Sequence, residues 1–283
     1  PISERREVWA AFTDHARSHG WSVSILGASA DWVGLYRSFG LHPVYLGDEA
    51  VVDCSSFALE GRAMRGLRQA CNRIGRAGYT VTFHDPALLD PATRRELLAL
   101  STMSRDGAVE RGFSMTLSRL FEPEDTGLLL SITRDAQGQA CAFVQWMPAA
   151  GIKGWSLDVM RYDTRPEVPN GVMDHLIVET IWHLRSRGEV GLGLNFAVIR
   201  ALVATEASTS WGRLGQGLLR ALSGRSDIGS LCRFNQKFGP EWRPRYVVLS
   251  SLDTVACQGL VIAAAEGLSD LPLIGRFMRG IDR

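Results

Sequence analysis

The sequence predicts a mixed α/β fold in which mostly antiparallel strands are flanked by helices. Three strand-like segments follow one another at residues 127–133, 140–147 and 154–160, and Asp135-Ala-Gln-Gly138 is a hairpin signal between the first two. A helical pattern over 171–187 and an apolar strand over 190–195 come next. A meander followed by a helix and a strand is typical of mixed α/β folds.

The segments before this meander alternate between helix and strand. The predicted helices cover residues 3–19, 29–39, 61–77 and 91–103, and the first three end at Gly20, Gly40 and Gly78. The predicted strands cover 21–26, 41–46, 49–52 and 79–83. After residue 195 we expect helices at 211–222 and 230–238, a strand at 245–249 and a last helix at 252–266.

Composition excludes several classes of protein. Of 283 residues, 46% are hydrophobic and 22% are charged, which is ordinary for a globular protein. The five cysteines form no C-x-x-C pair, which disfavours a zinc site or a disulfide scaffold and fits a reducing compartment. The six histidines are scattered, so no metal is expected, and no G-x-S-x-G or P-loop occurs.

Charge and hydropathy set further expectations. The formal net charge is only +1, so attraction to nucleic acid or anionic lipid requires local clusters of Lys and Arg. No run approaches the roughly 20 apolar residues that span a bilayer, and Pro1-Ile-Ser-Glu-Arg-Arg is unlike a signal peptide. We therefore expect a soluble piece of a longer protein.

One acidic residue interrupts the otherwise apolar strand Ser156-Leu-Asp-Val-Met-Arg161. A buried carboxylate is costly unless it is paired, so Asp158 is either part of a structural ion pair or a site residue. In a regular strand Asp158 and Arg161 point to opposite faces. A shared role therefore predicts a strand end or a bulge near Asp158.

Two nearby segments offer candidate binding groups. Asn170-Gly171 opens the helix over 171–187; it is either a plain cap or, through the free N–H groups there, a wall that binds phosphate or carboxylate. The helix over 61–77 is strongly basic, and its Arg65 and Arg68 lie either on a solvated face or along a track for an RNA backbone.

The C-terminal part is basic and amphipathic. Residues 211–225 place Trp211, Leu214, Leu218 and Leu222 on one side, with arginines flanking them, and residues 271–280 have the same character. Such a segment is either a helix facing the core or one lying on an anionic membrane.

A short internal echo suggests duplication. Tyr36-Arg-Ser-Phe-Gly40 and Phe234-Asn-Gln-Lys-Phe-Gly239 each place an aromatic residue shortly before a glycine and run into a strand. This resembles the closing helix-turn-strand of acetyltransferase-like (GNAT) domains. Such a short echo is either a chance match or the sign of two such lobes joined in tandem.

Seven segments resemble the phosphatidylglycerol lysyltransferase (lysylphosphatidylglycerol synthase) family, above all the form fused to a lysyl-tRNA synthetase. They are Leu46-Gly-Asp-Glu-Ala50, Met64-Arg-Gly-Leu-Arg-Gln-Ala70, Glu110-Arg-Gly-Phe-Ser-Met115, Ser156-Leu-Asp-Val-Met-Arg161, Asn170-Gly171, Leu194-Asn-Phe-Ala197 and Lys237-Phe-Gly-Pro-Glu-Trp-Arg-Pro-Arg-Tyr246. The family pattern has a second Lys where Asn235 stands.

The resemblance implies a function. Members transfer an aminoacyl group from aminoacyl-tRNA to phosphatidylglycerol in an anionic membrane, and they need no cofactor. For this chain, lysyl-tRNA is the expected donor. They place transmembrane helices upstream, so the chain is expected at the cytoplasmic face of the cell membrane. The resemblance also implies tandem GNAT-like lobes, with a truncated first lobe and basic helix in residues 1–85 and a second lobe in 86–283. The alternatives are a GNAT-type acyl-CoA N-acyltransferase and a membrane-surface binding module without catalysis.

The resemblance also implies site residues. Asp158, Arg161 and Lys237 are the expected catalytic residues, with Asp158 as base or hydroxyl orienter and the two cations facing phosphate or an oxyanion. The expected substrate-binding residues are Arg65, Arg68, Asp48, Asn170, Asp174, Glu179, Asn195 and Arg245, and three of these, Asp48, Asp174 and Glu179, are candidates to read a lysine ammonium.

Overall fold

The computed structural model describes residues 2–105, 120–124, 126–197 and 228–251, together with Gln258 and Val261. Its helices are α1 (Arg5–Ser18), α2 (Ala30–Ser38), α3 (Arg65–Arg76), α4 (Pro91–Arg105), α5 (Val172–Ser186) and α6 (Ile228–Gln236). Its strands are β1 (Ser24–Ser29), β2 (His42–Asp53), β3 (Thr80–His84), β4 (Leu129–Arg134), β5 (Ala140–Ala149), β6 (Gly154–Tyr162), β7 (Gly191–Ala197) and β8 (Glu241–Leu249).

The described residues divide into two compact units. Unit 1 lies within residues 1–48, 197–228 and 243–283, and unit 2 within 49–196 and 229–242. Strands β2 and β8 each run from one unit into the other, so the units interleave along the chain. These units differ from the segments 1–85 and 86–283, and the tandem-lobe arrangement stays a prediction.

Unit 1 is built from α1, α2 and three strand segments in the order β1-β8-β2. β1 is antiparallel to β8, from Ser24 opposite Leu249 to Ser29 opposite Arg245. A small core of Ala28, Tyr36 and Val248 joins these elements, and Trp9 of α1 packs its ring against the Tyr36 ring at 5.0 Å.

Unit 2 contains the strands in the order β7-β6-β5-β4-β3. β3 to β6 form an antiparallel meander, whereas β6 and β7 are parallel and connected through α5. Helices α3 and α5 pack on one face, over a core that includes Trp146 and Ile177. Helix α4 covers the other face through Leu97 and Leu100.

A buried polar chain ties α5 to the middle of this sheet. The Trp146 indole N–H donates to Ser131 Oγ at 2.9 Å, and Ser131 shares a second hydrogen bond with Thr180 Oγ1 at 2.9 Å. All three side chains are fully buried, and pairing their polar atoms removes the cost of burying them. The chain fixes α5, which carries site residues at its first turn.

The structure confirms the mixed α/β fold and most predicted elements, with one correction. Residues 41–46 and 49–52 were expected as two strands, but they form the single strand β2. Every residue from Leu46 to Val52 is buried, including the acids Asp48 and Glu49, so the polar pair that suggests a turn lies inside the strand. The helices expected at 211–222 and 252–266 and the basic segment at 271–280 lie outside the described residues, except for Gln258 and Val261.

Candidate functional site

The pairing of β5 with β6 is irregular at Asp158. Trp146 lies opposite Leu157, and the next residue back along β5, Gln145, lies opposite Val159. One step on β5 therefore matches two steps on β6, and Asp158 is the extra residue of a β-bulge. The bulge predicted from the sequence is confirmed.

The bulge brings Asp158 and Arg161 to the same face of the sheet. Leu157 and Met160 pack in the core beneath α3 and α5, whereas Val159 packs in the core beneath α4. Arg161 lies opposite Phe143, which belongs to that second core. Asp158 is there as well, because its Oδ2 accepts a 2.8 Å hydrogen bond from Gln145 Nε2.

Both side chains are held close to the sheet. Asp158 is only 4% exposed, and its neighbour Gln145 is 1% exposed. The Arg161 guanidinium donates through Nη1 to the backbone oxygen of Met160 at 2.9 Å. A carboxylate and a guanidinium on the same face can respectively orient a hydroxyl and stabilise a developing negative charge.

The described pairs between β6 and β7 lie where the two strands begin. The described pairs run from Gly154 opposite Gly191 to Ser156 opposite Gly193, although β6 continues to Tyr162. Among the described residues no pair joins these strands beyond Ser156. Asp158 lies two residues past the last of these described pairs.

A cleft of about 1010 Å³ lies on the α5 side of β6, entirely within unit 2. The turn between β6 and α5, the first turn of α5, α3 and α6 form its walls. Its charged lining residues are Arg73, Asp163, Arg165, Asp174, Arg233 and Lys237.

Two ion pairs fix the acids of this cleft. The Lys237 ammonium donates to both oxygens of Asp174 at 3.0 Å, and it lies 5.0 Å above the Phe234 ring. The Arg165 guanidinium grips Asp163 from two nitrogens, with Nε at 2.8 Å from Oδ2. This pair and a backbone hydrogen bond hold the pKa of Asp163 below its usual range.

A glycine sets the start of α5 against α3. Gly171 has φ +103°, and a Cβ there would lie 3.1 Å from the Ala70 Cβ and 3.3 Å from Arg73 Nη2. Arg73 donates from Nη2 to the backbone oxygen of Asn170 at 2.5 Å. The sequence pair Asn170-Gly171 therefore marks a close approach of backbone to helix, at the rim of the cleft.

One turn into α5, a buried histidine faces a glutamate. His175 Nε2 lies 3.5 Å from Glu179 Oε1, and His175 Nδ1 is buried without a hydrogen-bond partner among the described residues. Burial lowers the pKa of His175 and raises the pKa of Glu179. Burial thus shifts the proton equilibrium of each group towards its neutral form.

The remaining predicted binding residues are dispersed. Arg68 donates to the backbone oxygen of Leu59 at 2.6 Å, so it anchors the turn before α3, and Arg65 is exposed at the first position of that helix. Asp48 is buried in β2 and Arg245 lies in β8, both in unit 1. Asn195 lies in β7, and its side chain is outside the described set.

Neither a metal site nor a membrane span is found in the part of the chain that the structure describes. No three His, Cys, Asp or Glu residues there converge as ligands would. Likewise, none of the described helices is both long and apolar enough to cross a bilayer.

The model of one protein family matches residues 1–249, and its description is "Phosphatidylglycerol lysyltransferase, C-terminal". The matched residues include strand β6, the residues that line the cleft and every predicted site residue. The chain belongs to this family.

The names of curated relatives are consistent with the lysyltransferase family. The lysylphosphatidylglycerol biosynthesis bifunctional protein LysX of Mycobacterium avium is 36% identical over 283 residues, and that of Mycobacterium tuberculosis is 35% identical. Each alignment covers 98% of this chain but 24% of the relative. The chain therefore spans about a quarter of the length of these relatives.

Solved structures share the fold. L-PGS from Bacillus licheniformis matches with a TM-score of 0.76 at 22% identity, covering 94% of this chain and 79% of that chain. The C-terminal domain of a putative lysylphosphatidylglycerol synthetase from Agrobacterium fabrum matches with a TM-score of 0.73 at 25% identity, covering 93% and 77%.

The structure thus sorts the residues predicted from the lysyltransferase resemblance into two groups. Asn170, Asp174 and Lys237 meet in the cleft, whereas Asp158 and Arg161 lie on the opposite face of β6. Because Asp174 is paired with Lys237 at the cleft wall, its predicted role as a reader of lysine would require Lys237 to move.

Sequence reasoning missed four residues of these two sites: Gln145, Asp163, Arg165 and Arg233. Asp163-Thr-Arg-Pro166 carried a usable signal, since an acid two residues before an arginine at a strand end often forms a turn. Gln145 carried no such signal, because its role becomes visible only when its hydrogen-bond partner on the neighbouring strand, Asp158, is known.

Proposed function

We propose that this chain is the transferase part of a longer enzyme that moves an aminoacyl group, lysine in the first instance, from aminoacyl-tRNA to the glycerol hydroxyl of phosphatidylglycerol. The observation that carries the proposal is the family match, which contains both groups of site residues. The names of the mycobacterial relatives support lysylphosphatidylglycerol as the product. Adding lysine would lower the negative charge of the membrane and favour resistance to cationic antimicrobial peptides.

The reaction needs positioning more than activation. The ester that joins an amino acid to tRNA is already reactive, so no cofactor is required. The glycerol oxygen forms a bond to the ester carbonyl carbon, the bond from that carbon to the terminal ribose oxygen breaks, and the proton of the glycerol hydroxyl passes to the ribose oxygen. Holding the two reactants in line accounts for much of the rate that such an enzyme achieves.

Asp158 is suited to accept that proton or to orient the hydroxyl. It lies on a bulge, where strand irregularities commonly re-aim a side chain, and Gln145 holds one of its oxygens in place. Arg161 shares its face and is suited to stabilise the oxyanion that forms during transfer. In this mechanism Lys237 faces phosphate from the other side of β6.

We infer that β6 and β7 separate beyond Ser156, so that Asp158 can be reached from both faces of β6. Two substrates would then approach from opposite sides and meet beside Asp158. Arg65 and Arg68, at the start of α3, are the proposed contacts for phosphates of tRNA.

The test is transfer of radiolabelled lysine from lysyl-tRNA to liposomes that contain phosphatidylglycerol. We expect lysylated lipid with the wild-type chain and at least a hundredfold less with Asp158→Asn, in line with the roughly 10²–10⁴-fold effect of general acid–base groups. Asp14→Asn is the matched control, because Asp14 is 74% exposed and pairs only with Arg17 in α1 among the described residues. Equal product from wild type and Asp158→Asn would remove Asp158 from the mechanism.

The rival acyl-CoA reaction is tested with the same protein. Micromolar binding of acetyl-CoA in a calorimetric titration, without lipid lysylation, would replace the proposal by a GNAT-type acyltransferase.

The whole enzyme is proposed to act at the cytoplasmic face of the cell membrane, with a transmembrane domain upstream of this chain. Mass spectrometry of lipids from cells that express the full-length protein reports donor and acceptor together. A modified lipid carrying another amino acid would change the assigned donor and leave the reaction class intact.

A further inference from the structure

Gly193 of β7 lies beneath two side-chain oxygens that come from the neighbouring strands. A Cβ added at Gly193 would lie 2.9 Å from Ser156 Oγ of β6 and 3.1 Å from Glu49 Oε1 of β2. β7 lies between β2 and β6 in the sheet, and all three residues belong to unit 2. A hydroxyl and a carboxylate therefore converge over a strand position that has no side chain.

Ser156 lies on the same face of the sheet as Asp158 and Arg161. Its neighbours Trp155 and Leu157 pack in the core beneath α3 and α5, so strand alternation directs Ser156 to the other face. Asp158 and Arg161 are on that other face because of the bulge. Ser156 is half-buried, so a ligand can still reach it.

Glu49 points to this face from β2. Ala50 and Val52 pack in the core beneath α3 and α5, so strand alternation directs Glu49 away from that core. Glu49 is only 8% exposed, and a cation that reaches it is bound where water competes little. The proposed reaction centre therefore has a buried carboxylate on its own face.

Other acids that could read a lysine ammonium are placed differently. Asp174 is paired with Lys237 at the wall of the cleft, on the α5 side of β6. Glu179 lies in α5, and burial raises its pKa, which disfavours the charged form that an ammonium needs. Asp48 precedes Glu49 in β2, so alternation directs it to the opposite face. Of these four acids, Glu49 alone shares a face with the reaction centre.

The same face holds a buried acceptor beside Asp158. Gln145 is 1% exposed, and its Oε1 has no hydrogen-bond partner among the described residues, while its Nε2 donates to Asp158. A buried acceptor without a donor is costly, so a ligand that supplies an N–H is favoured there. An aminoacyl ester carries an α-ammonium next to its carbonyl carbon, and a donor whose carbonyl lies at Asp158 can direct that ammonium to Gln145.

The spacing along β6 suits a lysyl donor. Ser156 and Asp158 are two residues apart on the strand, a distance of roughly 6–7 Å. Lysine carries its ε-ammonium on a flexible four-carbon stem, which can span that distance. A lysyl ester with its carbonyl at Asp158 can therefore place its ε-ammonium between Ser156 and Glu49.

We propose that Glu49 determines donor specificity: together with Ser156 it binds the ε-ammonium of a lysyl donor, and Gly193 leaves the space in which the two oxygens converge. The inference rests on the proposed function, because the ester carbonyl of the donor is taken to lie at Asp158. Glu49 contacts the far end of the donor, so it contributes equally before and during transfer and acts on binding.

The test compares transfer from one tRNA charged with lysine or with norleucine, which has the same stem and a methyl group in place of the ammonium. We expect Glu49→Gln to raise the KM for the lysyl donor roughly tenfold or more with kcat little changed, and to leave norleucine transfer undiminished. Glu7→Gln is the matched control, because Glu7 is exposed in α1 and its substitution should keep the wild-type preference. Equal losses with both amino acids in Glu49→Gln would assign Glu49 a structural role and overturn the proposal.

Gly193→Ala provides an independent change. Gly193 is not among the residues with positive φ, so alanine suits its backbone, but the added methyl group would displace the ends of the Glu49 and Ser156 side chains. We expect a folded protein, checked by thermal melting, whose preference for lysine over norleucine falls roughly tenfold. A folded variant with the wild-type preference would contradict the assignment.

Donor analogues that cannot react separate this inference from the proposed function. Lysyl-adenosine and norleucyl-adenosine joined by an amide keep the donor end without the reactive ester, and calorimetry measures their binding to the whole 283-residue chain. Tighter binding of the lysyl analogue that is lost in Glu49→Gln supports the site; if lipid is then not lysylated, the proposed function alone fails. Equal binding of both analogues to the wild-type chain overturns the inference, whatever the transfer assay gives.

Discussion

At the scale of single residues, Gln145 acts on the candidate site through its hydrogen bond to Asp158. It is buried in β5, and its Nε2 donates to Asp158 while its Oε1 has no hydrogen-bond partner among the described residues. Gln145→Leu removes the donor and keeps a similar volume, so the carboxylate loses a hydrogen bond in an apolar setting. We expect unfolding to become easier by about 1–3 kcal/mol, measured by urea denaturation.

The same substitution should lower lipid lysylation, because Asp158 loses the hydrogen bond from Gln145 that orients one of its oxygens. Gln137→Leu is the control, since Gln137 is an exposed residue of the β4–β5 turn and its substitution should leave both quantities unchanged. Full activity in Gln145→Leu would show that Asp158 is positioned by its other surroundings.

His175 gives the protein a sensitivity to acid. Burial lowers its pKa below the ordinary value of about 6.5, because the folded state favours the neutral ring. Stability from this source is complete above about pH 6.5 and is lost as the pH falls through the lowered folded value. Glu179 has a raised pKa, so its contribution has the opposite sign: it is complete at low pH and is lost as the pH rises.

We expect His175→Gln to reduce the loss of stability on acidification, measured by urea unfolding at neutral pH and below about pH 6.5. His84 and His183 also have pKa values lowered mainly by burial, so part of the acid sensitivity should remain in the variant. An unchanged pH dependence would mean that His175 keeps its proton equilibrium on unfolding.

At the scale of elements, the junction of α3 with α5 depends on Gly171. An alanine there would adopt φ +103°, a strained conformation for a residue with a Cβ, and its methyl group would meet Ala70 and Arg73 at 3.1 and 3.3 Å. We expect Gly171→Ala to cost about 1–3 kcal/mol of stability, measured by urea denaturation.

Gly66 offers the matched control for this prediction. It lies in the first turn of α3, and a Cβ there would meet nothing within 4 Å. Gly66→Ala should therefore be neutral or stabilise the protein by up to about 1 kcal/mol. Equal destabilisation by both substitutions would show that the effect is not specific to the α3–α5 junction.

Elements made of local signals were predictable from the sequence. The meander β4–β6 has a turn with Asp135 and Gly138, and α4 has Asp90, whose side chain caps its first N–H groups. The single strand β2 was not predictable, because it contains the buried acids Asp48 and Glu49. Their surroundings in the fold are formed by residues distant in the sequence.

In the candidate site, too, some features could be predicted from the sequence and others could not. The bulge at Asp158 could be predicted, since a shared role for Asp158 and Arg161 requires it. The pair of Lys237 with Asp174 could not, because 63 residues separate them and each is equally compatible with solvent exposure. Family resemblance found both residues without finding that they bind each other.

At the scale of the whole molecule, the described residues of the two units differ in how much apolar core they form. Unit 1 joins α1, α2, β1 and β8 through a small cluster around Tyr36, with Val8, Phe12 and Trp21 exposed. Unit 2 has two large clusters, one on each face of its sheet, with Trp146, Phe143 and Ile177 fully buried. Local opening costs less where fewer apolar side chains are buried.

We therefore expect amide hydrogens of α1, β1 and α2 to exchange well before those of β4, β5 and α5 in native-state hydrogen exchange followed by mass spectrometry. Ile177→Ala, which empties part of the larger core, should cost roughly 2–5 kcal/mol and speed exchange throughout unit 2. Val8→Ala is its control, because Val8 is 63% exposed and its loss should leave exchange in β4 and β5 unchanged. Uniform protection in both units would instead show that the chain opens only as one cooperative whole, with the small cluster around Tyr36 as stable as the core around Trp146.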